Sequence, residues 1–244
     1  MNENLRDALI RARLQPADVA TRLDVTPKTV MRWIAGRVPY PRHRGAIADL
    51  VDVDERELWP DVEQRRRTNA SGLITAYPHR WAVPRAVWTH LFESAEHEIA
   101  VLAYSGLFLA DDTGIMRTLA DRAEAAVHLR ILLGDPTSQA VAQRGEDEGI
   151  GADVMSAKIR NALVLYAPLL SAETVELRLH AAVLYNSMYQ ADNQALINAH
   201  IYGTPASQAP TWHVRHQDEA DLLNTYANSF ERVWTAAEPY TPGR

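Results

Sequence analysis

The segment from Ala17 to Gly36 constrains the fold of this chain more than any other part of its sequence. Its apolar residues recur at spacings that place one side of each of two short helices inward. Those inward residues are Val19, Leu23, Val25, Val30 and Trp33. Thr26 followed by Pro27 is typical of a helix start, because a hydroxyl can cap the helix and proline suits its first position. The segment therefore predicts two helices that are joined by a tight turn at Asp24 and ended by Gly36.

Taken in order, these positions resemble the helix-turn-helix of the lambda-repressor-like (XRE) regulators. That family commonly has a Leu-Ala pair, a Leu-Gly-Val turn, the segment Ser-x-x-Thr-Ile-x-Arg-Trp and a closing glycine. The corresponding segments here are Val19-Ala20, Leu23-Asp24-Val25, residues 26–33 (TPKTVMRW) and Gly36. The chain departs from the family at Asp24, which replaces the turn glycine, and at Pro16, which replaces a glutamine that often contacts phosphate. The resemblance implies an all-α DNA-binding domain of about five short helices over residues 1–60.

The resemblance also implies that the second helix of the pair enters a groove of double-stranded DNA. Lys28 and Arg32 are one helical turn apart and share its exposed side, where base edges or phosphates are within reach. The residues expected at the DNA surface are Thr26, Pro27, Lys28, Thr29, Met31, Arg32 and Arg37. The alternative for the two cations is solvation on an ordinary helix, and Met31 could touch a thymine methyl group or simply be exposed. Trp33 is expected in the core rather than on the DNA surface.

The distribution of charge fits a DNA-binding segment on an otherwise acidic chain. The net charge is −6, but residues 1–67 hold 13 Lys and Arg against 11 Asp and Glu, which leaves 12 against 20 for the remainder. Between residues 22 and 44, Asp24 is the one acidic residue among six arginines and lysines. A local basic patch attracts phosphates, whereas the acidic remainder repels DNA from other faces.

Composition argues against several other classes of protein. The chain has no cysteine, which excludes disulfides and thiolate metal sites. Its nine histidines have no spacing typical of metal ligands, so we expect neither a metal nor a cofactor. No apolar run is long enough to span a bilayer, and the first residues are typical of a charged amphipathic helix rather than a secretion signal. We therefore expect a cytoplasmic, nucleoid-associated protein with no membrane partner.

The rest of the chain predicts a second domain of a different class. Residues 61–72 are polar and are predicted to form a linker. Residues 73–244 alternate apolar strands with amphipathic helices, which predicts an α/β domain with a mixed sheet flanked by helices. The predicted strands cover residues 98–104, 128–133, 175–179, 182–189, 194–202 and 211–215. Asp192-Asn193 is a good hairpin pair, Asp135 is predicted to start a helix, and residues 144–151 are predicted to be a loop.

This order of elements resembles the phospholipase D-like fold. Active members of that family carry His-x-Lys-x4-Asp followed by Gly-Ser-x-Asn. In one register, Asp192 occupies the position of the motif's aspartate. The His, Lys, Gly, Ser and Asn positions are then occupied by Tyr185, Ser187, Ala199, His200 and Tyr202. In a second register His180 matches the motif's histidine, but the Lys and Asp positions are occupied by Ala182 and Ser187.

Neither register retains both the histidine and the lysine. Phosphodiester transfer in this fold requires a nucleophilic imidazole and a cation that stabilises the phosphoryl oxygens. Tyr185 could in principle attack, but Ser187 supplies no charge. A single motif copy would also require dimerisation to assemble a full site. The resemblance therefore implies a relative that is not an enzyme, with a cleft retained for ligand binding or dimer contact.

Seven polar residues are the candidates for that cleft. They are Asp135, Arg178, His180, Tyr185, Ser187, Asp192 and His200. Alternation of polar and apolar residues along the strands is equally consistent with an ordinary half-solvated sheet. Asp135 follows a strand end, where α/β sheets present ligands, but helix capping explains it as well. Asp192 is expected chiefly as a turn residue.

These observations predict a sequence-specific DNA-binding transcriptional regulator that acts as a homodimer. Its second domain is expected to dimerise and to sense a small-molecule effector, with phosphate-containing compounds as the candidates. Two alternatives stay open from the sequence. One is a phosphodiesterase or nuclease directed to DNA by its helix-turn-helix, and the other is an architectural dimer module without a ligand.

Overall fold

The computed structural model describes residues 1–60, 62, 72–216 and 222–242. The chain divides into two compact units, Met1–Thr68 and Asn69–Arg244. The predicted linker, residues 61–72, lies outside the described residues except at positions 62 and 72. Within the described ranges, no helix combines the length and the apolar character needed to cross a lipid bilayer.

The described part of the N-terminal unit consists of five helices. They are α1 Glu3–Arg11, α2 Pro16–Arg22, α3 Pro27–Ile34, α4 Pro41–Val51 and α5 Glu55–Leu58. Side-chain caps explain where two of them begin, because the Asn2 amide oxygen accepts the Leu5 N–H and the Thr26 hydroxyl accepts the Thr29 N–H. The apolar faces meet in one core, whose most buried members include Leu5, Val19, Val30, Ile47 and Leu58.

The turn between α2 and α3 is tight. Asp24 has a φ of 51°, and the Val25 N–H donates to the Ala20 carbonyl. A left-handed backbone favours glycine, and aspartate is one of the few other residues that tolerate it, because its short side chain bonds locally. This conformation accounts for an aspartate at the turn. Gly36 follows α3 with a φ of 113°, as expected of a residue that ends a helix.

The described part of the C-terminal unit is built on a mixed eight-stranded sheet. Its strands are β1 Leu73–Tyr77, β2 Glu98–Ala103, β3 His128–Gly134, β4 Val175–His180, β5 Asn186–Ala191, β6 Gln194–Ala199, β7 Thr211–Arg215 and β8 Glu238–Pro239. Their order across the sheet is β1-β7-β6-β5-β2-β3-β4-β8. Strands β2, β3 and β4 run parallel, and the other pairs are antiparallel. The predicted mixed α/β architecture of this unit is therefore confirmed.

Six α-helices accompany this sheet in the described residues. They are α6 Arg85–Glu93, α7 Leu107–Ala110, α8 Thr113–Glu124, α9 Gln139–Asp147, α10 Ala152–Tyr166 and α11 Leu222–Ala236. Helix α6 packs on α8, α9 packs on α10, and α11 packs against β4 and β7. Ile99 to Ala103 of β2 are all buried, which means that helices cover both faces at the centre of the sheet.

Arg130 of β3 attaches α11 to one face of the sheet. Its guanidinium donates to Glu98 of β2 at 2.8 Å and to Glu231 of α11 at 2.6 Å. Burial alone would lower the pKa of Arg130, but these two carboxylates raise it above its ordinary value. Arg178 of β4 lies 4.4 Å from the ring centre of Trp234 on the same helix. Both arginines therefore lie on the sheet face that α11 covers.

Asp135 does not start a helix, contrary to the prediction. Its carboxylate accepts both the N–H and the hydroxyl of Thr137, and α9 begins only at Gln139 with Ser138 as its cap. The predicted loop at residues 144–151 is also wrong in its first half, because residues 144–147 belong to α9. The stretch at residues 144–147 is polar, and its helix is stabilised by packing on α10 that the local sequence does not reveal.

The predicted strand at 182–189 begins later, at Asn186, and strands β1 and β8 were not predicted. The three central residues of β1 are exposed, and its one partner strand is β7, more than a hundred residues away in sequence. Such an edge strand carries a weak periodic signal, and its pairing is decided by the rest of the sheet.

Two glycines within helices provide a matched test of the packing between α9 and α10. A Cβ on Gly145 of α9 would collide with the Gly151 carbonyl oxygen, whereas a Cβ on Gly45 of α4 would meet nothing within 4 Å. We expect Gly145→Ala to lower the free energy of unfolding by about 2 kcal/mol or more, because backbone must move. Gly45→Ala should raise it by up to about 1 kcal/mol through helix propensity. Urea unfolding of both variants is the measurement, and an unchanged midpoint for Gly145→Ala would contradict the close approach.

Candidate nucleic-acid interface and ligand cavity

Helix α3 separates a buried side from an exposed cationic side. Val30 and Trp33 are buried in the core, as expected. Six of the seven residues predicted at the DNA surface are exposed, namely Thr26, Pro27, Lys28, Met31, Arg32 and Arg37, and Thr29 is half-buried. The Thr26 and Thr29 hydroxyls are 2.9 Å apart, so Thr29 supports the cap of the helix as well as facing outward.

A surface depression of about 350 Å³ lies beside this exposed side. Thr29, Arg32 and Arg37 line it together with Arg42 and His43, which were not among the predicted contacts. The signal for the last two was the basic run RVPYPRHR at residues 37–44. Not every arginine of that run is available to a ligand. Arg44 is buried and pairs with Glu55 at 2.6 Å, while also donating to the Pro39 carbonyl.

The C-terminal unit contains a cavity of about 120 Å³ beside the carboxyl end of β2. Ala103 and the residues that follow it form one wall, and Ser187 and Tyr189 of β5 project from the sheet. His200, which follows β6, and Lys158 of α10 also line it. The cavity thus draws on the sheet, on a helix and on the turn at residues 205–207.

A serine–histidine pair forms the polar centre of this cavity. The Ser187 Oγ lies 3.0 Å from His200 Nε2, and His200 Nδ1 lies 3.2 Å from the Leu184 carbonyl oxygen. Because that carbonyl can only accept, Nδ1 carries the proton and the Ser187 hydroxyl donates to Nε2. The Tyr104 ring stacks on the imidazole at 5.6 Å. Burial, together with the positive charges of the nearby Arg144 and Arg80, lowers the pKa of His200 to about 4.

Two cations line the same cavity. Arg80 lies 3.9 Å from the ring centre of Phe108, and its Nη1 donates to the Asn198 amide oxygen at 3.4 Å. Lys158 is half-buried on α10. Neither cation was predicted from the sequence, because neither belongs to a motif and each comes from an element far from β5 in sequence.

The acidic side chain in the cavity wall, Glu148, already forms an ion pair within the protein. Glu148 accepts from Arg144 at 2.6 Å in an ion pair that is almost fully buried. The pair also holds the turn at residues 203–206, since Arg144 donates to the Thr204 carbonyl and Glu148 accepts the Ala206 N–H. This turn forms part of the cavity wall.

Of the seven residues predicted in the cleft, the structure brings Ser187 and His200 together in the cavity. Tyr185 is 82% exposed and does not line it. The Asp135 carboxylate accepts the Thr137 N–H and so stabilises the turn that follows β3. Arg178 lies on the opposite face of the sheet from Ser187, where it donates to Glu176 and to the Trp234 carbonyl.

His180 and Asp192 also lie outside the cavity. His180 is 2% exposed, with its Nε2 placed 3.3 Å from the Ala103 carbonyl oxygen, and burial lowers its pKa. Asp192 forms the turn between β5 and β6, at the opposite end of that hairpin from Ser187. Its carboxylate accepts three successive backbone N–H groups at the start of β2, at residues 96, 97 and 98, with distances of 2.7, 3.1 and 2.8 Å.

No protein-family model matches the sequence, and no curated protein is similar to it in sequence at a significant level. Among solved structures, the chain is similar to Nuc from Salmonella typhimurium, a phospholipase D family member, with 16% identity and a TM-score of 0.39. That likeness covers 64% of this chain and 90% of Nuc. With TrmBL2, an archaeal chromatin protein with a novel mode of DNA binding, the identity is 14% and the TM-score 0.43 over 98% of this chain and 95% of the other.

A third similar structure is the phosphatidylserine synthase of Haemophilus influenzae Rd KW20. The identity is 10% and the TM-score 0.46, with 78% of this chain covered. The chain spans about half of that synthase, 49% of its length.

The burial of neutral His200 predicts a pH dependence of stability. Its pKa is lowered from an ordinary 6.5 to about 4, so the unfolded chain binds a proton between these values more readily than the folded chain. The contribution of the neutral imidazole is therefore complete above about pH 6.5 and is lost as the pH falls toward 4. We expect the stability difference between wild type and His200→Gln to shrink by up to about 3 kcal/mol over that range.

Urea unfolding of both proteins at pH 7 and pH 4.5 is the measurement. His180 and His213, whose pKa values burial also lowers, are present in both proteins, so their contributions cancel in the comparison. A stability difference that is independent of pH would mean that His200 titrates normally.

Proposed function

We propose that this chain is a sequence-specific DNA-binding transcriptional regulator of the lambda-repressor-like (XRE) type. The observation that carries the proposal is α3, which is buried through Val30 and Trp33 and exposes Lys28 and Arg32 on its other side. A short helix fixed on a core by one side and cationic on the other is the geometry that major-groove recognition requires.

The chemistry around α3 supports DNA as the partner. Among the described residues, neither Lys28 nor Arg32 has a carboxylate within ion-pair distance, so their charges are available to phosphates or to base edges. Arg37 and Arg42 extend the same cationic surface along the neighbouring depression. Such a surface binds DNA through phosphate contacts, and α3 supplies the side chains that can discriminate bases.

We propose in addition that the protein acts as a homodimer through its phospholipase D-like C-terminal unit. One short helix reads only a few base pairs, whereas two copies one helical turn apart read a near-palindrome. An exposed apolar surface on this unit suits such a contact. Its members are Val183, Tyr185, Ile201 and Tyr202, with exposures of 65, 82, 44 and 84%. The Tyr185 carbonyl accepts the His200 N–H, so this surface borders the cavity.

An effector bound in the cavity would control DNA affinity only by preferring one dimer geometry over another. The closeness of the cavity to the exposed apolar surface supports this role. The regulator would then be associated with the nucleoid, with duplex DNA, a second copy of itself and a small molecule as its partners.

Replacement of Arg32 tests the DNA-binding surface. We expect Arg32→Ala to weaken binding to the preferred duplex by about 1–3 kcal/mol if Arg32 contacts a base, with a smaller loss on unrelated duplexes. The measurement is a binding titration at fixed salt on a sequence selected from a random duplex library. Arg6→Ala, which removes an exposed arginine of α1, is the control and should bind like wild type. A protein that sediments as a monomer and ignores duplex DNA at low salt would overturn the proposal.

We propose that the C-terminal unit is not a phosphodiesterase. Tyr185, at the position of the motif's histidine, is exposed outside the cavity, and Ser187, at the position of the lysine, is uncharged. In this register the nucleophile and the cation of the family's chemistry are therefore both missing, and in the register that retains His180 the lysine position holds Ala182, which supplies no charge.

One observation favours the enzymatic alternative, since the hydrogen bond from Ser187 to His200 has the geometry of a nucleophile and its base. We expect no turnover of duplex DNA, single-stranded DNA or diester phospholipids above a blank. Turnover that is lost in Ser187→Ala or Tyr185→Phe, and kept in Ser171→Ala outside the cavity, would establish the enzyme instead.

A further inference from the structure

We infer that the cavity of the C-terminal unit binds a tetrahedral dianion, either inorganic phosphate or the terminal phosphate of a small metabolite, with Arg80 and Lys158 as the cationic ligands. The proposed binding of the anion is supported by the groups that line the cavity. The role of the ligand as an effector rests on the proposed regulator function.

The balance of charge in the cavity is the first argument. Lys158 and Arg80 bring two positive charges to its wall, and among the described residues no carboxylate lies within ion-pair distance of either. Glu148, the acidic residue of the wall, is neutralised by Arg144 at 2.6 Å. His200 adds no charge near neutral pH, because its pKa is about 4. Two half-buried cations without counterions are unfavourable, and a dianion balances both of them.

The positioning of Arg80 is the second argument. Its guanidinium lies against the Phe108 ring at 3.9 Å, and one nitrogen donates to Asn198. The group is thus held with a planar fork of donors at the cavity, and little side-chain entropy remains to be lost when an anion binds. A guanidinium presented in this way matches the oxygen pair of a phosphate group.

The neutral groups and the size of the cavity are the third argument. Ser105 and Ser207 also line it, and serine hydroxyls can donate to oxygens that the cations do not reach. A space of about 120 Å³ admits one compact group with a few waters rather than a whole nucleotide. A terminal phosphate fits this limit, because its one substituent can extend out through the opening of the cavity.

The same geometry separates a dianion from a diester. A phosphodiester carries a single negative charge and two substituents, so it would leave one of the two cations unbalanced and need a second exit from the cavity. We therefore expect inorganic phosphate and phenyl phosphate to bind and dimethyl phosphate to bind at least tenfold more weakly.

Calorimetric titration of the full chain at pH 7.5 and constant ionic strength tests the inference. Saturable binding of inorganic phosphate or phenyl phosphate is expected, and Lys158→Gln and Arg80→Lys should each weaken it at least tenfold. Arg160→Gln, which removes an exposed cation from the same helix, is the matched control and should bind like wild type. Binding of phenyl phosphate alone would identify a metabolite as the source of the phosphate, and binding of inorganic phosphate alone would identify the free ion.

Three results would overturn the inference. They are the absence of saturable binding in folded wild type, equal binding of dimethyl phosphate, and equal weakening by Arg160→Gln. Circular dichroism of each variant establishes that it is folded. Duplex DNA binding is measured on the same samples without phosphate, so that the two proposals can fail separately. Anion binding without DNA binding would contradict the regulator function. DNA binding without anion binding would contradict the anion site.

Discussion

The organisation of the C-terminal unit depends on the carboxylate of Asp192. By accepting the N–H groups of residues 96 to 98, it fastens the β5–β6 turn to the start of β2 and thereby sets the register of β5 against β2. Side chains alternate along a strand, so a slip of one residue would move Ser187 and Tyr189 to the other face of the sheet. A turn residue at one end of the hairpin therefore determines which groups reach the cavity at the other end.

The polar groups of the cavity come from separate parts of the chain. Strand β5 supplies Ser187, whereas the positive charge comes from Arg80, after β1, and from Lys158 on α10. The two cations face the same cavity only because the sheet and α10 pack together, so no short stretch of the sequence contains both.

Local features of the sequence were sufficient to predict several parts of the structure. The start of α3, the glycine after it and the turn at Asp192 follow from capping and from backbone preferences, and these act over a few residues. Ser187 and His200 could be predicted as cleft residues because one register of the motif places them on the two sides of the β5–β6 hairpin. The features that could not be predicted depend on contacts between residues that are far apart in the sequence. Strand β1 forms by pairing with β7. Arg44 belongs to the basic run at residues 37–44, but its ion pair with Glu55 removes it from the exposed basic surface.

The buried ion pair between Arg144 and Glu148 lies at the end of α9, where it contacts a turn about 60 residues later in the chain. Arg144 donates to the Thr204 carbonyl, Glu148 accepts the Ala206 N–H, and the Gly203 N–H donates to the Asp147 carbonyl. Because each charge of the pair compensates the other, both can stay buried while they hold this turn. Displacing this wall of the cavity would therefore break those three hydrogen bonds or carry the end of α9 with it.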